Sequence, residues 1–134
     1  MDSDELFQKL KNYFLNKLDL MRHLKKDACW EYKINEKSTL DEIPKLHYYL
    51  YKGDNERLKI DRQDPGIKPD LILFFTEESI LMLIKDNPNA DEYFERYRNL
   101  MSDSSNLLVD SKINKSRFNL LRLGYQKWQN DFKF

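Results

Sequence analysis

Few of the side chains that commonly carry out catalysis or bind metals occur in this sequence. The two histidines, His23 and His47, stand at no metal-ligand spacing from each other or from the single Cys29. Cys29 precedes Trp30, and no neighbouring residue in the sequence would stabilise a thiolate. We therefore expect structural or surface histidines and a small buried or edge cysteine, with neither a catalytic site nor a metal site.

The acidic residues and glycines also have simpler explanations than catalysis. Asp61, Asp64 and Asp70 flank a Pro-Gly turn, and their spacing differs from that of an EF-hand calcium loop, so we interpret them as solvated turn residues. Glu77 and Glu78 would begin a helix, where carboxylates suit the positive end of the helix dipole. The three glycines form neither a dinucleotide fingerprint nor a phosphate-binding loop, so no cofactor is expected.

Charge and composition argue against several classes of partner. The 134 residues include 23 Lys+Arg and 23 Asp+Glu, so a net charge of zero supplies no general attraction to nucleic acid or to an anionic membrane. Residues 48–52 interleave tyrosines with a lysine, but no RNP-type motif accompanies them, and we expect no nucleic-acid binding. The sequence contains no run of 18 apolar residues, so we expect no transmembrane segment. One cysteine and no secretory signal are typical of a cytoplasmic protein.

The order of the predicted elements indicates one α+β domain over residues 1–134. Its sheet has five strands, mostly antiparallel, with helices packed on one face. Three strands joined by short turns predict an antiparallel meander. The predicted helices cover 3–25, 77 to about 86, 89–101 and 114 or 116 to near the end. The predicted strands cover 28–36, 45–51, 57–61, 69–76 and 107–113, with a loop at 102–106.

The segment from Lys68 to Ile84 is the most informative part of the chain. Its first half is apolar on both faces, which is typical of a covered or central strand. Thr76 can then accept a backbone N–H from the next turn and cap a helix.

Two features leave alternatives open. The first helix is amphipathic and carries lysines, so it would either pack on the core or lie on a membrane or partner; we expect core packing. Gly124 falls inside the last predicted helix, where its missing side chain would permit the close approach of another element or would simply be tolerated.

Two local patterns, together with the element order, resemble the sterol carrier protein 2 family (SCP2-like domains). The first is the strand and acidic helix start of residues 68–84. The second is the apolar strand of residues 107–113, which leads into the helix containing Phe118 to Leu123.

The resemblance implies a five-stranded sheet with helices that enclose an apolar tunnel for a lipid, a sterol or an acyl chain. By position, it implies that the ligand-binding side chains are Leu71, Leu73, Phe75, Leu81, Ile84, Phe94, Tyr97, Phe118, Leu121 and Tyr125.

The leading hypothesis from the sequence is a non-enzymatic binding or carrier domain for a hydrophobic small molecule. The alternative is a protein-interaction or accessory module of the same fold without a small ligand, acting as a homodimer or with a protein partner. An enzyme ranks last, because no set of acid, base and nucleophile can be assembled from the residue spacings.

Overall fold

Five strands in one sheet and five α-helices make up the fold in the residues that the computed structural model describes, which are 1–36, 43–102 and 109–134. The elements are α1 (Ser3–Phe14), β1 (Cys29–Asn35), β2 (Leu46–Lys52), β3 (Leu58–Asp61), β4 (Leu71–Thr76), α2 (Glu77–Ile84), α3 (Ala90–Ser102), β5 (Val109–Ile113), α4 (Arg117–Leu123) and α5 (Tyr125–Asp131). The predicted α+β class is confirmed. The predicted loop at 102–106 and the first two residues of the last predicted strand lie largely outside the described residues.

The sheet has the spatial order β3-β2-β1-β4-β5. The first three strands form the predicted antiparallel meander. The chain then returns to place β4 parallel to β1, and β5 pairs antiparallel with β4 on its other side. The sheet is therefore mixed but mostly antiparallel, and the apolar β4 occupies an internal position, as its lack of a polar face predicted.

The alternation of side chains along β1 determines which face of the sheet carries the core. Trp30, Tyr32 and Ile34 are buried on the side against which the helices pack. Glu31 and Lys33 point to the other side and are only partly buried. The apolar stripe of α1, which includes Leu10 and Phe14, also belongs to this core, so core packing is the correct alternative for that helix.

The predicted junction between β4 and α2 is confirmed. The Thr76 hydroxyl accepts the Ser79 N–H at 3.1 Å, and the Ser79 hydroxyl accepts the Thr76 N–H at 3.0 Å. This reciprocal capping box satisfies two backbone donors that would otherwise be left unpaired at a buried helix start. Glu77 and Glu78 follow in the first turn.

The first helix is shorter than the predicted span of 3–25. It ends at Phe14, and a short 3₁₀ helix covers Leu18–Met21. The Leu20 carbonyl accepts a hydrogen bond from Trp128 Nε1 at 2.9 Å. His23 then has a φ of 71°, which a continuing α-helix does not allow. A side chain more than 100 residues away along the chain therefore pairs with a carbonyl that a continuous helix would have paired internally.

The last predicted helix is also interrupted, because Gly124 separates α4 from α5. Its φ is 96°, a left-handed conformation that L-residues rarely adopt. An added Cβ would overlap the His23 carbonyl oxygen. The Lys25 N–H donates to the Leu123 carbonyl at 3.0 Å in the same region. Of the two alternatives for Gly124, the correct one is therefore that its missing side chain permits the close approach of another part of the chain.

We predict that Gly124→Ala lowers the free energy of unfolding by about 2–5 kcal/mol, because left-handed strain and a steric overlap add together. Gly66→Ala is the matched control: its φ is also positive, but its Cβ would meet open space. It should cost only about 1–2 kcal/mol. Urea denaturation of both variants measures the difference, and equal losses would contradict the close-approach explanation.

Candidate functional site

An apolar pocket of about 760 Å³ lies between the helix-bearing face of the sheet and the helices α3, α4 and α5. Its floor consists of side chains from β1, β4 and β5, and its wall consists of aromatic and aliphatic side chains from the helices. The lining residues are Trp30, Tyr32, Leu71, Leu73, Tyr93, Phe94, Tyr97, Met101, Ser111, Ile113, Lys115, Arg117, Leu120, Leu121, Tyr125, Gln126, Trp128, Gln129 and Phe134.

Aromatic rings in mutual contact make up much of the wall. Trp128 packs edge-on against Trp30, with ring centroids 5.7 Å apart, and edge-on against Phe94 at 5.3 Å. Phe134 stacks on Trp128 at 5.2 Å, with the ring planes inclined by only 5°. Such contacts add directional attraction to the burial of apolar area, so the wall is held in a defined shape.

A buried polar network lies at the edge of this apolar wall and is centred on Asp70, which has no exposed surface. Its Oδ2 accepts the Tyr125 hydroxyl at 2.5 Å and the Cys29 N–H at 2.9 Å. The Lys115 ammonium lies 2.5 Å from Oδ1. Trp30 Nε1 in turn donates to the Tyr125 hydroxyl at 2.9 Å. Asp70 therefore joins β1, the segment before α4, and α5 around the pocket.

Burial keeps the hydroxyl and thiol groups near this network protonated. It raises the pKa of Tyr125 well above its ordinary value, and the Asp70 carboxylate adds to the effect. Burial likewise raises the pKa of Cys29 to about 12, with a further contribution from Asp70. The phenol thus remains a hydrogen-bond donor, and the thiol has almost no thiolate character at neutral pH.

Six of the ten residues that were predicted to contact a ligand line the pocket: Leu71, Leu73, Phe94, Tyr97, Leu121 and Tyr125. Their role in ligand binding stays a prediction.

The other four predicted residues do not line the pocket. Phe75 is fully buried in the core, where its ring stacks with that of Tyr32. Ile84 is buried in the same core, and Leu81 packs against this core. Phe118 is 68% exposed on α4. The pattern of apolar spacing located the correct elements, but it could not show which turn of each helix faces the open space.

Sequence reasoning missed several lining residues, including both tryptophans of the chain, Trp30 and Trp128. The spacing of Trp128 from Tyr125 along α5 was the available signal. Sequence reasoning also assigned Asp70 to a solvated turn. That assignment is wrong, because Asp70 is fully buried. The strand that begins directly after Asp70 is apolar on both faces, and this was the signal that Asp70 would be covered.

The remaining acidic and histidine groups lie elsewhere. Asp61 and Asp64 each accept a backbone N–H two residues ahead, as turn residues do. His47 Nε2 lies 2.6 Å from Glu31 Oε2 on the face of the sheet opposite the pocket. His23 Nε2 lies 2.9 Å from Asp131. Within residues 1–36, 43–102 and 109–134, no three metal-binding side chains cluster together.

No protein-family model matches the chain, and no curated protein matches it either. The likeness to the sterol carrier protein 2 family therefore stays a prediction. In the part of the chain that the structure describes, no helix is both long and apolar enough to cross a bilayer.

The buried thiol gives a direct check of the packing beside the pocket. We predict that Cys29 resists 5,5′-dithiobis(2-nitrobenzoic acid) at pH 8 in the native protein and reacts fully in denaturant, because its pKa of about 12 and its burial suppress attack. Absorbance at the thionitrobenzoate band measures the reaction. Rapid native labelling would show that the region around Asp70 is open.

Removing the central carboxylate should be costly. We predict that Asp70→Ala lowers the free energy of unfolding by about 3–5 kcal/mol, since it leaves the Lys115 charge without its buried partner. Tyr125→Phe should cost about 1–3 kcal/mol, because it removes one hydroxyl that both donates and accepts.

Glu95→Ala, at an exposed position on α3, is the control for these two variants and should change stability by less than about 0.5 kcal/mol. Denaturant unfolding followed by circular dichroism measures all three. If Asp70→Ala proved as mild as the control, the network would not hold the pocket together.

Proposed function

We propose that this protein binds a hydrophobic small molecule, such as a lipid, a sterol or an acyl chain, in the pocket between the sheet and α3, α4 and α5. The proposal is of a binding or carrier domain and includes no catalysed reaction. Its main support is the pocket of about 760 Å³, which falls within the range of roughly 300–1,000 Å³ typical of small-molecule sites.

The chemistry of the lining favours an apolar ligand. Leu71, Leu73, Phe94 and Trp128 offer surfaces from which water is easily displaced, and displacement of that water supplies the driving force for binding. A solid core would instead be filled at the density of an organic crystal. A ligand that occupies this space would restore the contacts that its lining side chains lack.

Polar side chains in the lining of the pocket suit a ligand with one polar end. Ser111 lies on β5, and Gln126 and Gln129 lie on α5, all three among the lining residues. A few such groups can fix the orientation of a mostly apolar ligand through hydrogen bonds. An amphipathic molecule therefore fits the lining better than a pure hydrocarbon.

The proposed family adds weaker support. The resemblance implied a five-stranded sheet with helices on one face, and a sheet with helices against one face is observed. It also implied an apolar tunnel beside the helices, and the pocket lies on that side. Membership in the sterol carrier protein 2 family remains part of the proposal.

A protein-interaction or accessory module is the second candidate, and one observation favours it. Phe118 is 68% exposed and Ile113 is 64% exposed, although both are large apolar side chains. Exposed apolar residues that lie together often mark a binding surface. Early elution from a size-exclusion column would indicate self-association, and failure to bind any lipid would then favour this candidate.

Both tryptophans line the pocket, so ligand binding should be visible without a label. We predict that cis-parinaric acid quenches the intrinsic fluorescence of the protein in a saturable manner and gains emission by energy transfer. Organic extraction of the freshly purified protein, followed by mass spectrometry, should also release a co-purified lipid.

A pair of variants on β5 makes this test specific. Ser111→Phe fills the pocket from its floor and should weaken binding by at least about tenfold, which corresponds to ~1.4 kcal/mol. Lys112→Phe is the control, because its side chain lies on the opposite face of the same strand. Equal affinity in both variants, or no binding by the unaltered protein, would overturn the proposed function.

A further inference from the structure

Large apolar side chains are exposed around the mouth of the pocket. They are Met101, Ile113, Phe118, Leu121 and Phe134, each between 44% and 68% exposed, and we call this set the rim surface. Four of the five also line the pocket, and Phe118 lies three residues from Leu121 on α4. Such a grouping differs from the scattered apolar residues of ordinary surfaces and indicates an interaction site.

The two sides of α4 have opposite roles. Leu120 and Leu123 pack against the core, whereas Phe118 and Leu121 lie toward solvent. The helix contains no fully buried residue. A surface helix normally places polar residues on its outer side, so the apolar outer side of α4 is unexplained by the packing of this chain alone.

Two arginines flank this outer apolar pair. At about 100° per residue, Arg117 falls on one side of Leu121 and Phe118, and Arg122 falls on the other. The Arg122 guanidinium lies 6.0 Å from the centroid of the Phe118 ring. Long arginine side chains can lie along an apolar surface and extend their charge to its edge.

Charge is concentrated in the same part of the chain. Residues 111–130 include five basic residues and no acidic one, although the whole chain has a net charge of zero. Lys115 is neutralised by Asp70. Arg117 and Arg122 form no ion pair with any described residue, so their charges remain available.

We propose that the rim surface docks on an anionic lipid bilayer. An apolar centre between cationic side chains is the arrangement by which an interfacial helix lies in a membrane surface. Phe118 and Leu121 would enter the boundary between headgroups and acyl chains, while Arg117 and Arg122 would pair with lipid phosphates. The charge complementarity is local, which explains why the composition of the whole chain predicts no membrane attraction.

This docking would place the mouth of the pocket against the bilayer. Met101, Ile113, Leu121 and Phe134 belong both to the rim surface and to the pocket lining. A hydrophobic molecule could then pass between membrane and pocket without crossing water. That transfer role rests on the proposed function, whereas the membrane contact does not.

Vesicle flotation of the full chain tests the contact. Vesicles of phosphatidylcholine with phosphatidylserine should carry the protein to the top of a density gradient, and pure phosphatidylcholine vesicles should not. Arg117→Gln with Arg122→Gln should weaken the binding by up to about 30-fold, given ~1 kcal/mol for each basic residue near an anionic surface. Lys9→Gln with Lys85→Gln removes the same charge away from the rim surface and should change nothing.

Two further variants separate the contact from the pocket. Phe118→Ser should weaken flotation about tenfold or more and leave the binding of cis-parinaric acid in solution unchanged, because Phe118 does not line the pocket. Ser111→Phe should lose that ligand and still float. Unchanged thermal stability of Phe118→Ser, measured by circular dichroism, shows that it folds.

Three results would overturn the proposal. The first is the absence of flotation with anionic vesicles. The second is flotation that does not respond to Phe118→Ser or to the arginine pair. The third is self-association or capture of a protein that depends on Phe118 while vesicles do not bind, since this would assign the rim surface to a protein partner instead.

Discussion

The pocket side of this structure depends on one buried charge. Asp70 has no exposed surface, and an isolated carboxylate in such a position would be strongly destabilising. It is stable there because Lys115 supplies the opposite charge and Tyr125 and the Cys29 N–H donate to the remaining oxygen. These partners come from three separate parts of the chain. The network therefore fixes how β1, the start of α4 and α5 meet beside the apolar wall.

The same face of the sheet is filled at one end and open at the other. Near α1, the rings of Tyr32 and Tyr48 stack at 4.6 Å, and Phe14 packs on both. This end forms a solid aromatic core. Toward α3 and α5, the rings of Trp30 and Trp128 stand around an open space. The two ends differ because β5 and α4 contribute small, polar or outward-facing side chains at the open end. At the end near α1, the side chains that face the core are large.

The outward side chains of α4 connect this open end to the surface. The helix is held to the rest of the fold at the Gly124 turn, where the Lys25 N–H donates to the Leu123 carbonyl. Arg117, Leu120 and Leu121 of this helix line the pocket, and Leu121 is also exposed. A binding pocket and a bilayer-docking surface would thus share side chains, and this sharing would couple uptake of a ligand to contact with the membrane that holds it.

Local pattern alone determined a large part of this fold. The alternation along β1, the Thr76 cap and the doubly apolar β4 follow from interactions between near neighbours, and the sequence predicts them correctly. The 3₁₀ turn after α1, the break at Gly124 and the burial of Asp70 were decided only by the tertiary structure, because each has a partner far along the chain: Trp128, His23 and Lys115. Whether apolar side chains meet in a filled core or around a pocket is likewise a property of their three-dimensional arrangement, since both cases have the same spacing in the sequence.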